Sequence, residues 1–141
     1  GLRSSDWIGA ALLLAAIAGA GVADRQLRTF LADKKNRGKV ADTGLWSYSR
    51  HPNYFFEWLG WFAYALIALD TSGSYWWWPL ALIAPAMMYW LLVHASGIPP
   101  LEAHMLRSRG EAFRDYQRRV NAFFPGPPRQ SGNIRPRKRA R

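Results

Sequence analysis

Three apolar runs, residues 7–23, 54–69 and 76–95, are kept apart from almost every charge in this chain of 141 residues. That segregation constrains the fold more than any other feature. Three such helices cannot bury one another's whole circumference in so small a protein, so lipid is the better solvent for their outer faces. Trp7, Trp58, Trp61 and the Trp76-Trp77-Trp78 cluster fall at or near the ends of the runs, where amphipathic rings favour the headgroup level. The first two runs, of 17 and 16 residues, sit at the lower limit for crossing a hydrocarbon core about 30 Å thick, and each is expected to extend by a turn into the interface. The pattern predicts an all-α, multi-pass integral membrane helical bundle, with three spans in this fragment and a cytoplasmic amphipathic C-terminal helix.

The formal charge of +10 then sets orientation rather than function. Arg25, Arg28, Lys34, Lys35, Arg37, Lys39 and Arg50 lie between the first two runs, and every other cation except Arg3 follows the third. The turn 70–75 carries none, so it is expected outside or in the lumen, with the basic loops and C-terminus cytoplasmic. The same rule covers the terminal cations Arg135 to Arg141, which have no interleaved aromatic residue for base stacking; no nucleic-acid partner is expected, and the bilayer is the partner implied. Gly97-Ile98-Pro99-Pro100 separates the third run from a cytoplasmic helix over about 101–122, which Gly110 threatens to interrupt. Residues 1–128 read as one membrane-embedded region and 129–141 as a disordered basic tail. The chain has no initiator Met and its first Met is Met87, so further N-terminal spans of the same protein are expected.

The absence of Cys excludes thiolate metal sites and cysteine nucleophiles. The three His residues carry no HExxH spacing, no serine sits in a GxSxG elbow, and no GxGxxG marks a soluble dinucleotide fold, so no metal is expected. Chemistry concentrates instead in GLWSYSRHPNYFFEWLGW, residues 44–61. Pro52 presets a helix start, and from there Asn53, Glu57, Trp61 and Tyr64 fall on one stripe at i, i+4, i+8 and i+11. A carboxylate one turn inside a span costs about 2.5 kcal/mol or more if it faces lipid. Glu57 therefore either faces a protein-lined polar cavity or snorkels to the interface with Asn53 as a helix cap. The crowding of Tyr48, Arg50, His51 and Tyr64 at the same mouth favours a ligand site.

The run GLWSYSRHPNYFFE, preceded by ADRQLRTF and followed by GIPPLE and RGEAFRDYQRRVNAFFPGPP, resembles the C-terminal catalytic region of the steroid 5α-reductase/sterol reductase superfamily, in its uncharacterised bacterial branch, over about residues 20–128. The same signature is similar to isoprenylcysteine carboxyl methyltransferases and phospholipid methyltransferases. The reductase resemblance implies an NADPH site formed by the C-terminal spans and cytoplasmic loops. It implies that Asn53 and Glu57 lie against the cofactor with Trp61 one turn deeper, that Asp24 orients a ribose or amide, that Arg28 grips a phosphate, and that Tyr116 closes the site. The phosphates of NADPH need several cationic donors, and the two cytoplasmic segments offer Arg25, Arg28, Lys34, Lys35, Arg37, Arg50, Arg107 and Arg109, many of which positive-inside topology also accounts for; Arg107 and Arg109 match the family's pattern only loosely.

The reaction implied is hydride transfer from NADPH to an electron-poor C=C bond of a sterol-like or isoprenoid lipid, an oxidoreductase chemistry on CH-CH groups. Tyr48, His51 and Tyr64 are the proton donors this chain offers, with Glu57 among the catalytic groups. Two alternatives stay open: an S-adenosylmethionine-dependent methyltransferase, with His51 and Glu102 near the amino-acid end of its cofactor, and a non-enzymatic membrane scaffold.

Overall fold

The computed structural model describes residues 1–69 and 76–130, and within them every regular element is helical. Five α-helices run in order: α1 Ser4–Ala32, α2 Pro52–Ala68, α3 Ile83–Trp90, α4 Ile98–Arg109 and α5 Glu111–Arg119. The expected lumenal turn 70–75 and the cations Arg135 to Arg141 lie outside the described residues.

α1 and α2 form an antiparallel pair. Small residues allow the close approach: Gly9, Ala16 and Ala23 repeat every seventh position on α1 and are buried against a face of α2 that includes Gly60 and Ala63. A side chain at Gly9 would run into Ile67, and one at Gly19 into the ring of Phe56. The far end of the pair is tied by Arg3, whose guanidinium donates to the carbonyls of Ile67 (3.1 Å) and Leu69 (2.9 Å) while pairing with Asp6. A cation at the carbonyl end of α2 also meets its helix dipole favourably. Ile8, Leu14, Ile17 and Val22 of α1 stay exposed, which is the surface an acyl-chain environment would cover.

Two helical runs are long and apolar enough to cross a membrane, Ser4–Ala32 and Trp78–Arg109. α2 has 17 residues, about 26 Å of helix, and falls short of a full hydrocarbon core on length alone. α1 overruns the expected 7–23 by nine residues at its C-terminal end, so Asp24 and Arg28 lie on a helix and not in a loop. Leucine, arginine and glutamine are good helix formers, so the polar stretch 24–29 does not end the helix.

The third apolar run is not one α-helix. It opens as a 3₁₀ segment, Trp78–Leu82, continues as α3, and widens to a π-turn over Leu91–Ala95. The amides of Ser96 (2.8 Å) and Gly97 (3.2 Å) both close on the Leu91 carbonyl, which ends the run and turns the chain into α4. The turn is so tight that a Cβ on Gly97 would lie 2.5 Å from the Leu92 carbonyl oxygen. The expected single helix 101–122 is two helices: Gly110, at φ +54°, breaks α4 from α5, and α5 ends at Arg119. Two small cores result. Leu92, Ile98 and Phe123 gather Phe55, Trp58 and Tyr89 around them, and Phe113, Tyr116 and Val120 gather Val40, Met105 and Leu106.

Gly97→Ala is expected to lower stability by about 1–3 kcal/mol, because the clash is with backbone that cannot step aside. Thermal unfolding of the solubilised protein, followed by circular dichroism, checks this; an unchanged midpoint would mean the π-turn relaxes freely.

Candidate functional site

The residues that open α2 are held by one buried carboxylate. Glu102, in the second turn of α4, accepts from Arg50 Nε (2.7 Å) and Nη2 (3.3 Å), from His51 Nε2 (2.9 Å) and from Gln117 Nε2 of α5 (2.9 Å). Arg50 Nη1 donates to the carbonyls of Gln117 (3.1 Å) and Val120 (2.7 Å). With both partners of the ion pair nearly buried, the many donors are what make the charges tolerable. His51 stacks on Tyr54, the rings 5.5 Å apart, and its backbone amide donates to Ser49 Oγ (3.1 Å).

The C-terminal block wraps the same stretch. The amide of Arg50 donates to the Asn121 carbonyl (2.8 Å), Ser49 Oγ to the Phe123 carbonyl (2.8 Å), and the amide of Gly126 to the Tyr48 carbonyl (3.0 Å). Tyr116 donates its hydroxyl to the Trp46 carbonyl (2.5 Å), and Trp46 Nε1 donates in turn to the Ala23 carbonyl of α1 (3.1 Å). Burial holds the Tyr116 pKa above the usual phenol value, which keeps the hydroxyl a donor.

Two cavities adjoin this framework. A groove of about 410 Å³ between α1 and α2 is lined by Asp24, Asn53, Phe56, Glu57, Trp61 and Tyr64, over a floor of small residues such as Ala16, Ala20 and Gly60. A narrower, mainly apolar bowl of about 250 Å³ lies between the end of α1, the 39–46 loop and α4 and α5; Phe30, Trp46, Leu101, Met105 and Phe113 supply much of its wall. Asn53 borders both. Its Oδ1 is buried and has no hydrogen-bond partner, as is the Nε of Arg109, which also borders the bowl. An unsatisfied acceptor and an unsatisfied donor thus belong to two residues that border the same bowl.

The site residues expected from sequence divide into three sets. Asp24, Asn53, Glu57, Trp61 and Tyr64 converge on the groove. Arg50, His51, Arg109 and Tyr116 border the bowl, but Arg50 and His51 are engaged by Glu102 and Tyr116 by Trp46. Tyr48 is half-exposed, Arg28 and Arg107 are exposed, and none of the three borders either cavity. Among the described residues no cluster of three or more His, Asp and Glu side chains forms a metal site. Trp46, Ser49 and Gln117 lie inside the stretches that carry the resemblance, but nothing in their spacing marks them as the framework of the site; Glu102, which the methyltransferase alternative puts near its cofactor, is the lone acid of α4.

Residues 1–120 match the family described as protein of unknown function, DUF1295, and the chain belongs to that family. No curated protein and no solved structure matches the chain.

Replacing Glu102 with Gln leaves the Arg50 guanidinium buried without its counter-charge. The expected loss is about 3–5 kcal/mol, the cost of breaking a buried pair from one side. Denaturant unfolding in detergent reads it, and a loss below about 1 kcal/mol would show that water replaces the carboxylate freely.

Proposed function

We propose that this chain holds the cofactor in a membrane-embedded reductase that uses NADPH to saturate an electron-poor C=C bond of a sterol-like or isoprenoid lipid. The observation that carries the reading is the convergence of Asp24, Asn53, Glu57, Trp61 and Tyr64 on one groove, with the Asn53 acceptor left unsatisfied beside it. These side chains come from two helices and are brought together only by the fold. On this reading the family is a steroid 5α-reductase-like one, α2 crosses the bilayer as a third span, and both basic regions face the cytoplasm.

The donor set suits the cofactor. A nicotinamide carboxamide and a ribose present N–H and O–H donors, and the groove presents the Asp24 and Glu57 carboxylates and the Asn53 oxygen as acceptors. The apolar bowl, walled by Trp46, Phe30 and Phe113, suits a planar ring, and Lys39 and Arg109 border it as cations. NADPH, when bound, supplies the hydride. The chain's own work is to orient the ring through Asn53 and Glu57, to exclude water with Phe56 and Trp61, and to deliver a proton. Of Tyr48, His51 and Tyr64, Tyr64 is the one that borders the groove, so its hydroxyl is assigned the proton. A lipid reaches the groove from the bilayer side along the exposed faces of α1 and α2.

Calorimetry on the full chain in phosphatidylcholine nanodiscs is expected to show micromolar NADPH binding. Asn53→Ala and Glu57→Gln should each weaken it by about tenfold or more, the loss of one hydrogen bond to a polar or charged partner. Binding of S-adenosylmethionine with none of NADPH would replace this reading with methyl transfer, and binding of neither would leave a scaffold. Tyr64→Phe should slow NADPH oxidation with a steroid 4-en-3-one by about a hundredfold while NADPH affinity holds. Undiminished turnover would remove Tyr64 from the reaction.

A further inference from the structure

α1 holds three glycines, and a Cβ added at each would fare differently. At Gly21 it would meet nothing within 4 Å. At Gly9 it would run into Ile67, which does not border the groove. At Gly19 it would overlap Cδ1, Cε1 and Cζ of the Phe56 ring, and Phe56 is part of the groove wall. A glycine inside a helix costs about 1 kcal/mol relative to alanine. Gly19 is thus a position where the helix loses stability and a ring of the site gains its place.

The side on which that ring is held follows from the helical period. Ala16 and Ala23 are buried against α2, and at roughly 100° per residue the other groove residues of α1, Leu13, Ile17, Ala20 and Asp24, all fall on one side of the line through them. Gly19 falls on the other side. On α2, Asn53, Glu57, Gly60, Trp61 and Tyr64 likewise lie to one side of Phe56, and Phe55 lies to the other. Phe55 meets the Phe56 ring edge-on, centroids 5.3 Å apart, and is itself backed by Phe123 (5.8 Å) and Phe124 (6.2 Å). The Phe56 ring therefore rests in a seat made by a missing side chain, with Phe55 behind it and the groove in front.

We infer that Gly19 is a specificity-determining position, which by seating Phe56 away from the groove sets whether a ligand as bulky as a fused-ring lipid can reach the Asn53 and Glu57 side chains. The inference deepens the reductase reading and rests on it for the identity of the ligand; the seat itself is a property of α1 and α2 alone. Ala16, Ala20 and Gly60 leave the floor of the groove low, so its width near Asn53 and Glu57 is set by the large side chain beside them, Phe56. A side chain at residue 19 acts without touching the ligand, by pushing the ring forward into the space the ligand needs. Discrimination of this kind works by repulsion: a slim lipid is indifferent to it and a bulky one is refused.

The test measures NADPH oxidation with a steroid 4-en-3-one by the full chain in phosphatidylcholine nanodiscs, for the wild type, Gly19→Ala, Gly21→Ala and the double variant Gly19→Ala/Phe56→Leu. Gly21→Ala makes the same change on the same helix where nothing is touched, so it accounts for helix propensity. Gly19→Ala is expected to lower kcat/KM by about tenfold, chiefly through KM, the effect of crowding a packed site. Gly21→Ala is expected to stay within about twofold of the wild type, and the double variant to recover KM to within about threefold. A Gly19→Ala protein that behaves as Gly21→Ala does, or a double variant as poor as Gly19→Ala alone, would overturn the assignment and leave the reductase reading standing. A wild type that binds NADPH and never reduces the steroid shows a groove that refuses a fused-ring lipid, which overturns this inference alone. A wild type that binds no NADPH sinks the reductase reading and this inference with it.

Discussion

Arg50 and Glu102 are 52 residues apart in sequence, yet their side chains share two hydrogen bonds in a nearly water-free place, and most of the site's geometry follows from that contact. α4 and α5 have no long apolar face to anchor them on α2. What fixes them is the need to keep every donor around one carboxylate satisfied, since a half-satisfied buried charge is worse than none. Because Arg50 and His51 directly precede Pro52, holding them also fixes where α2 begins and which way its first turn faces. Asn53 and Glu57 inherit their direction from a contact they do not make.

The wrap of residues 121–126 along 48–50 serves the same end by a different means. Backbone groups at the mouth of α2 would be orphaned if the loop were merely apolar, and the amide of Arg50, the carbonyl of Tyr48 and the hydroxyl of Ser49 are each paired with this segment instead. The aromatic cluster of Phe55, Trp58, Tyr89, Phe123 and Phe124 then packs on its outer side, with ring centroids 5.1–6.2 Å apart in the pairs that link them. Removing the wrap would expose polar backbone and aromatic surface together, which is why the terminal block belongs to the site and not to a tail. Arg129, at the start of the expected basic tail, still donates its amide to the Arg119 carbonyl (2.8 Å).

Much of this was legible in local pattern and little of the rest was. Pro52 marks the start of α2, Gly97-Ile98-Pro99-Pro100 marks the break before α4, and helical periodicity places Asn53, Glu57, Trp61 and Tyr64 on one stripe, because each depends on a few neighbouring residues. The true end of α1 is hidden because polarity at Asp24 and Arg25 resembles a loop, although both residues sit well on a wet helix. The π-turn at Leu91–Ala95 has no composition of its own; it is set by how α3 must meet α4. Arg50 reads as free to grip a phosphate, and only the long-range approach of Glu102 and two carbonyls engages it. Lys34 and Arg37 read equally as phosphate donors and as topology signals, and only the long-range approach of Arg109 gathers them around one small cavity.

The length of α1 gives these cavities their order. At 29 residues it spans about 44 Å, well beyond a hydrocarbon core of about 30 Å, so on the proposed topology its last two turns stand in the cytoplasmic interface. One stripe of a rigid helix then passes from lipid to water without a joint. The groove lies along the middle of that stripe, and the bowl and the small cavity lined by Lys34, Arg37 and Gly38 follow toward its C-terminal end. Between them lies the bowl, bordered by Asn53 and Arg109, whose buried Oδ1 and Nε have no hydrogen-bond partner. Polar groups that a fold leaves unsatisfied beside a cavity are costly, so this wall is where the proposed ligand would gain most. A helix that stopped at residue 23, as its apolar run suggests, would carry the groove alone and leave the bowl and the small cavity without a wall.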